Sequence, residues 1–251
     1  MNYLKDVVGL LEKKKHYVIW SGGCDSTAVL YEVAKQHSSE ENPVIAISIN
    51  HYLIGEKTGY EKKKREDLKE VFKERGLFIE YHEFEIMSST NMDIGTTDGY
   101  ASASYQPYFW ITQIMPFIEH DSYIHTGYIR GDDFWMNIDR IRNLVDACAS
   151  AMARKVYLST PLQYERKPDV LWYLIQENLI QHTWHCEDPT EKGKCNNCVP
   201  CDTHNMALLE IGLRLDYKTI PYAIDKMDME YFTQLVKDCD DRDGDRKVLK
   251  L

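Results

Sequence analysis

Two short stretches of the chain carry residue types whose spacing implies chemistry. Near the start, Ser21-Gly22-Gly23-Cys24-Asp25-Ser26 lies between the apolar run Tyr17-Val18-Ile19-Trp20 and a helix-like pattern. Glycines permit positive φ and let backbone N–H groups converge on an anion, and a following helix adds its positive end. Gly22 and Gly23 therefore supply backbone donors, and Ser21 and Ser26 supply hydroxyls, which together suit a phosphate or pyrophosphate. Asp25 repels a bare phosphate, so its carboxylate is read as a ligand for Mg²⁺, as an orienter of neighbouring donors, or as a helix N-cap. Cys24 is either a small packing residue or a thiol activated at a helix N-terminus.

The second stretch, "HCEDPTEKGKCNNCVPC", places Cys186, Cys195, Cys198 and Cys201 with eight, two and two residues between them. Overlapping Cys-x-x-Cys steps wrap thiolates around one ion, and four thiolates close a tetrahedral shell with no position left for water. The expected site is structural and holds Zn²⁺; an iron–sulfur cluster is the competing reading of a four-cysteine set. His185 and His204 lie beside it as alternative ligands, outer supports or surface residues. A third stretch, "TGYIRGDDFW", follows an expected strand. There Arg130 suits a carboxylate or phosphate, and Asp132 and Asp133 suit Mg²⁺ or an amino-pyrimidine edge, or cap the next helix. Phe134, Trp135 and Trp110 are stacking or core residues.

These residues need a scaffold that brings strand ends together. "YVIW" reads as a buried strand, followed by a helix over about 26–37, a strand over 44–49, and a helix through "YEKKKREDLKEVFKERG" with Leu68, Val71 and Phe72 on one side. Further strands are expected at 77–84, "YIHTG" and "VYLSTPL", with helices near 108–118, 138–153 and 202–213. Alternating strands and helices predict an α/β fold with a doubly wound, mostly parallel sheet. In such sheets ligands sit beyond the carboxyl ends of the strands, where "SGGCDS" and "TGYIRGDD" both fall. The Ser-, Thr- and Gly-rich segment 87–104 reads as a long loop, and the charged tail after Asp238 as a loose end. From His185 to Cys201 the composition changes to Cys, Asn, Pro and Lys, marking a small module, so the expected division is an α/β domain over 1–180, which holds the first motif, and a metal-binding module with C-terminal helices over 181–251.

At 251 residues the chain can bury one full α/β core. Thirty basic against forty acidic residues give a net charge of -10, which argues against sequence-blind contact with nucleic acid and towards a small-molecule or protein partner. With no run of eighteen apolar residues and no secretory pattern, no membrane association and a cytoplasmic location are expected. The seven cysteines, four of them clustered, do not suggest a disulfide framework.

The first motif lacks the Gly-Lys-Ser/Thr ending of the P-loop and the Gly-x-Gly-x-x-Gly spacing of dinucleotide folds. It resembles the PP-loop of the ATP pyrophosphatase superfamily, Ser-Gly-Gly-x-Asp-Ser. That resemblance implies an adenine nucleotide alpha-hydrolase-like (HUP/Rossmann-like) fold and makes the cradled group the β,γ-pyrophosphate of ATP. Together with "TPLQYERKPDVLWYLIQENL", Thr183-Trp184-His185-Cys186 and the last three clustered cysteines, the chain looks like a divergent member of the 7-cyano-7-deazaguanine synthase family. The resemblance covers the first strand-turn-helix and roughly residues 159 to 213. It implies adenylation of the carboxylate of 7-carboxy-7-deazaguanine, displacement of AMP by ammonia, and dehydration of the amide to a nitrile. It also implies a homodimer and makes Lys167 the phosphate cation that the loop itself lacks. "INHYLIGEK" and "YIRGDDFWMNIDR" depart from the family's pattern after the second and fourth strands, so the acceptor is open. The alternatives are a PP-loop enzyme with another acceptor (amide or conjugate formation, or tRNA thiolation with Cys24 or Cys148 carrying sulfur) and a non-catalytic nucleotide and zinc module.

Overall fold

The computed structural model describes residues 14–51, 55–86, 100–132 and 137–214. Five strands form one sheet: β1 (His16–Ile19), β2 (Val44–His51), β3 (Ile79–Ile86), β4 (Ser122–His125) and β5 (Val156–Ser159). All neighbouring pairs are parallel, and the spatial order is β3-β2-β1-β4-β5. The connections are α1 (Cys24–His37), α2 (Gly55–Glu74), α3 (Tyr100–Ile114) with a 3₁₀ turn at Met115–Phe117, and α4 (Ile138–Ala151). Beyond β5 come α5 (Lys167–Gln176), a 3₁₀ turn at Ile180–His182 and α6 (Val199–Arg214). The α/β, doubly wound parallel sheet expected from the alternating pattern is the observed fold.

The central strands β1, β2 and β4 are largely apolar because both faces of the sheet are covered there, whereas the edge strand β3 carries Glu80, His82, Glu83 and Glu85. Val18 and Trp20 join α1, α2, α5 and α6 in one buried cluster. Tyr17 and Ile19 point the other way, into a cluster with Ile111, Ile114, Ile141 and Val145 from α3 and α4. The alternation continues in β2, where Val44 and Ala46 face the first cluster and Ile45 and Ile47 the second. Residues 207–211 of α6, beyond the expected boundary at 180, contribute Ala207, Leu208, Leu209 and Ile211 to the first cluster.

The differences from expectation lie at element ends. Helix α3 begins at Tyr100, so the last five residues of the loop expected over 87–104 are helical; the alanines of "YASAS" favour that state. The rest of that loop, the first expected helix, Asp133, Phe134, Trp135, Cys239 and the charged tail lie outside the described residues. Helix α6 starts at Val199 rather than at 202, because Pro200 in its first turn has φ already set and forfeits no hydrogen bond.

Beneath α1, on its side of the sheet, sits a histidine cluster. His16 Nδ1 and His125 Nε2 are 3.0 Å apart, and His16 stacks on His37 at 4.1 Å. Burial, with His37 and Lys14 nearby, lowers His16 to about 4; burial, with His16 and His37, lowers His125 to about 3. Both rings are thus neutral in the folded chain down to those values, whereas the unfolded chain takes up protons below the ordinary histidine value of about 6.5. The unfolded state binds more protons between about pH 4 and 6.5, so stability rises with pH across that window. Urea midpoints measured through it should climb with pH, and His125→Gln should flatten the climb; an unchanged slope would refute the assignment. In the first cluster, Phe72 is wholly buried against Trp20 and Tyr31, and Phe72→Ala is expected to cost about 3–5 kcal/mol in urea denaturation.

Candidate nucleotide and metal sites

The chain order runs outward from β1 to β3 and then returns to β4 beside β1, so the direction of winding reverses between β1 and β4. A cleft of about 420 Å³ lies at their carboxyl ends, where ligands bind in open α/β sheets. Ser21, Gly23, Cys24 and Asp25 line it from β1, Ile129 and Asp132 from beyond β4, and Lys167 from the first turn of α5.

The turn after β1 is held by its own serines. Ser21 Oγ accepts the Gly23 N–H at 3.1 Å and lies 3.1 Å from Ser26 Oγ, which accepts the Ser21 N–H at 3.2 Å. Gly22 has φ +89°, a region that a side chain disfavours, and a Cβ there would also lie 2.9 Å from Arg65 Cγ. Helix α1 begins at Cys24 with Gly23 as its N-cap, and no side chain caps it. The N–H groups of its first turn therefore keep their donors for something outside the helix. Asp25 is within that turn and is not the cap. Its Oδ2 accepts Lys167 Nζ at 2.6 Å, and its Oδ1 is buried without a partner. The Asp25 charge outweighs burial and raises Lys167 above the ordinary lysine value, so it stays a cation. An unpartnered buried carboxylate oxygen beside an anion cradle fits Mg²⁺, which takes one or two carboxylates along with ligand phosphates.

The structure separates the two candidates beyond β4. Asp132 lines the cleft and closes its own turn, its Oδ2 accepting the Ile129 N–H at 3.0 Å; the N-cap of α4 is Asn137. Arg130 is exposed and outside the cleft lining, and its backbone N–H donates to Glu165 O at 2.9 Å. Trp110 lines the cleft with a buried, unpartnered indole N–H. The opposite wall carries Lys57, ion-paired with Glu61 and Glu187. Burial lowers the lysine's basicity, but the two carboxylates outweigh it and leave Lys57 raised; burial also raises Glu61.

Sequence reasoning missed Arg65. Its side chain is 1% exposed, and it donates to Ser21 O at 3.0 Å and to Asn50 Oδ1 at 2.6 Å. Within "KKKREDL" it looked like one more solvated charge. The signal was its position three residues before Leu68 and seven before Phe72, on the buried stripe of α2. Gly127 was missed as well: a Cβ there would meet Ser26 N at 2.7 Å and Asp25 C at 2.9 Å.

Cys186, Cys195, Cys198 and Cys201 converge, with ligand atoms all within 4.8 Å of one another. Cys186 and Cys195 sulfurs are 3.5 Å apart, and the N–H groups of Cys195 and Glu187 point at the sulfurs of Cys186 and Cys198. No disulfide joins them among the described residues. The segment leading into this set runs along the nucleotide turn: Trp184 N–H donates to Gly22 O at 3.0 Å, and Trp184 pairs with Gly23 as an isolated parallel bridge. Tyr60 of α2 stacks flat on the Trp184 ring at 4.5 Å.

No protein-family model matches the chain, and no curated protein does. Among solved structures it is similar to the U34-tRNA thiolase NcsA from Methanococcus maripaludis, solved with its 4Fe–4S cluster. The TM-score is 0.46 and the identity 16%, over 90% of this chain and 73% of that one. No described helix is long and apolar enough to cross a membrane.

Because the loop after β4 packs directly on the start of α1, Gly127→Ala should push Asp25 and Ser26 out of place. Weaker nucleotide binding by calorimetry, with a stability loss of about 1–3 kcal/mol, is expected; unchanged binding would show that the contact is not needed.

Proposed function

We propose that the chain is a PP-loop enzyme that binds ATP in the cleft and transfers its adenylyl group to an acceptor oxygen, releasing pyrophosphate. The observation that carries this reading is the uncapped start of α1 behind the Ser21–Ser26 turn, with the Asp25–Lys167 pair on the adjoining wall. The acceptor carboxylate attacks the α-phosphorus; the new O–P bond forms as the bond to the bridging oxygen breaks, and pyrophosphate leaves with that electron pair. The turn's N–H groups, Ser21, Ser26 and Lys167 stabilise the charge on the departing group, and Asp25 would hold Mg²⁺, which neutralises it further. An amine then attacks the activated carbonyl carbon and AMP leaves.

For the acceptor, the reading is a planar heterocyclic carboxylate, 7-carboxy-7-deazaguanine, with ammonia as the amine. The far end of the cleft supports it with the Trp110 indole N–H as a donor to a carbonyl or carboxylate, and with Glu61 and Lys57 to meet ring donors and acceptors. A second reading keeps the ATP chemistry and changes the acceptor to a larger conjugate or a tRNA base. In the thiolation form of that reading, Cys24 is the sulfur carrier, because it lines the cleft; Cys148 packs on α4 against the other face of the sheet. We assign the four-cysteine set a single Zn²⁺. Sulfurs within 4.8 Å of one another suit one ion with bonds of about 2.3 Å better than a cluster whose thiolates each bind a different iron.

The test is incubation with Mg-ATP, 7-carboxy-7-deazaguanine and ammonium, followed by mass spectrometry of the products. AMP together with amide or nitrile is expected, reduced about 10²–10³-fold in Lys167→Ala and Asp25→Asn. AMP without a deazaguanine product would move the acceptor to the second reading. ATP returned intact under every acceptor, with no adenylate trapped by hydroxylamine, would leave a nucleotide-binding module without turnover.

A further inference from the structure

Three side chains meet at the base of the glycine turn, and the leading reading above uses none of them. Cys24 is the first residue of α1, His185 stands in the link before Cys186, and His204 lies on α6. One ligand atom from each lies within 4.8 Å of the others. The Cys24 sulfur is 3.2 Å from Thr183 Oγ1 and 3.9 Å from His204 Nδ1, and the two imidazoles stack at 3.6 Å. Cys24 and His204 are almost wholly buried, at 2% and 1% exposed.

The hydrogen bonding of this group is incomplete. Nε2 of His185 and Nε2 of His204 are both buried without a partner. Leaving a buried polar atom unsatisfied costs about 1–3 kcal/mol, and two such atoms on stacked rings beside a thiol call for a common partner. Neutral imidazoles and a thiolate are the forms that ligate metals, so an incoming cation displaces the thiol proton to bind.

We propose that Cys24, His185 and His204 form a second metal site, separate from the four-cysteine set, for one divalent ion of the zinc type. Two imidazoles and one thiolate are the donors such an ion prefers, and three protein ligands leave a fourth position open, as in sites that act on a bound molecule. Cys24 and His185 line the nucleotide cleft beside Ser21 and Asp25. The open position therefore faces the cleft and takes an anionic oxygen of whatever is bound there. The stacked ring planes lie 15° apart, and closing the shell on one ion has one ring turn about its Cβ–Cγ bond. Lys167 and Lys194 oppose a cation in this place; the thiolate and the carboxylate of Asp25, which holds Lys167, offset them. The site does not depend on the ATP reading, since the donors and their burial would be the same for any ligand of the cleft.

The test is metal stoichiometry on the full chain. Protein saturated with Zn²⁺ or Co²⁺ and then desalted is measured by inductively coupled plasma mass spectrometry. Wild type should hold a second equivalent beyond that of the four-cysteine set. Cys24→Ser and His204→Gln should each lose the second equivalent and keep the first, and Cys198→Ser should show the opposite pattern. With Co²⁺, the second equivalent should add visible bands of a one-sulfur, two-nitrogen field, weaker in sulfur-to-metal charge transfer than those of a four-sulfur shell, and Cys24→Ser should abolish them. Saturation of wild type at one equivalent overturns the proposal without any variant. A second equivalent that survives in both Cys24→Ser and His204→Gln overturns it too.

Discussion

The backbone carbonyls of the turn after β1 are all engaged by the surrounding protein, and the shape of the site depends on that. Trp20 O accepts Ser48 Oγ at 2.7 Å, Ser21 O accepts Arg65, Gly22 O accepts the Trp184 N–H, and Gly23 O accepts the Thr27 N–H at 3.0 Å. A peptide whose carbonyl is held on one side turns its neighbouring N–H groups to the other. A turn presenting carbonyls to an anion would repel it; here β2, α2, the Thr183–Cys186 link and α1 each hold one carbonyl, while the Ser21 and Gly23 N–H groups are held by the serine hydroxyls of the turn itself. A buried guanidinium is costly to place. Arg65 is placed by two short hydrogen bonds and by Glu83 at 4.0 Å, and burial still lowers its basicity. Its position between α2 and the sheet fixes how close that helix can approach the turn.

The four-cysteine set acts on the same turn from the opposite flank. Trp184 is joined to Gly22 and Gly23 by its backbone, to Tyr60 by its ring, and to Cys186 by the bond from its indole N–H to the Cys186 carbonyl at 2.8 Å. An ion that draws the cysteines together thereby fixes the segment that completes the nucleotide turn. A closed thiolate shell has no open position for reacting molecules, so its influence on the cleft is exerted through the backbone.

The fold was legible in the sequence because the apolar runs of β1, β2 and β4 are largely buried on both faces, and these, like β5, are bounded by turn residues. The glycine turn was legible because its shape requires glycines and serines at fixed spacing, and the cysteine set because the spacing of the cysteines is itself the signal. Less was legible where one residue type serves two ends. Arg130 was singled out for its place after a strand and Arg65 was not, yet Arg65 is sealed under the turn and Arg130 is exposed; the signal for Arg65 lay in the register of α2 against Leu68 and Phe72. Gly127 gave no local cue, since its need for a missing Cβ comes from a neighbour a hundred residues earlier in the chain. His185 and His204 read as outer supports because their relation to Cys24 is set by packing across three segments.

The bond from Trp184 to Gly22 also orders events in time. Strand β1, the glycine turn and α1 all emerge early in synthesis, and β2 and α2 follow soon after, but Trp184, which holds the first glycine's carbonyl, emerges only when most of the chain has been made. Until then the turn can sample shapes in which that carbonyl faces the cleft. A nascent or truncated form ending before Thr183 lacks the donor to the Gly22 carbonyl.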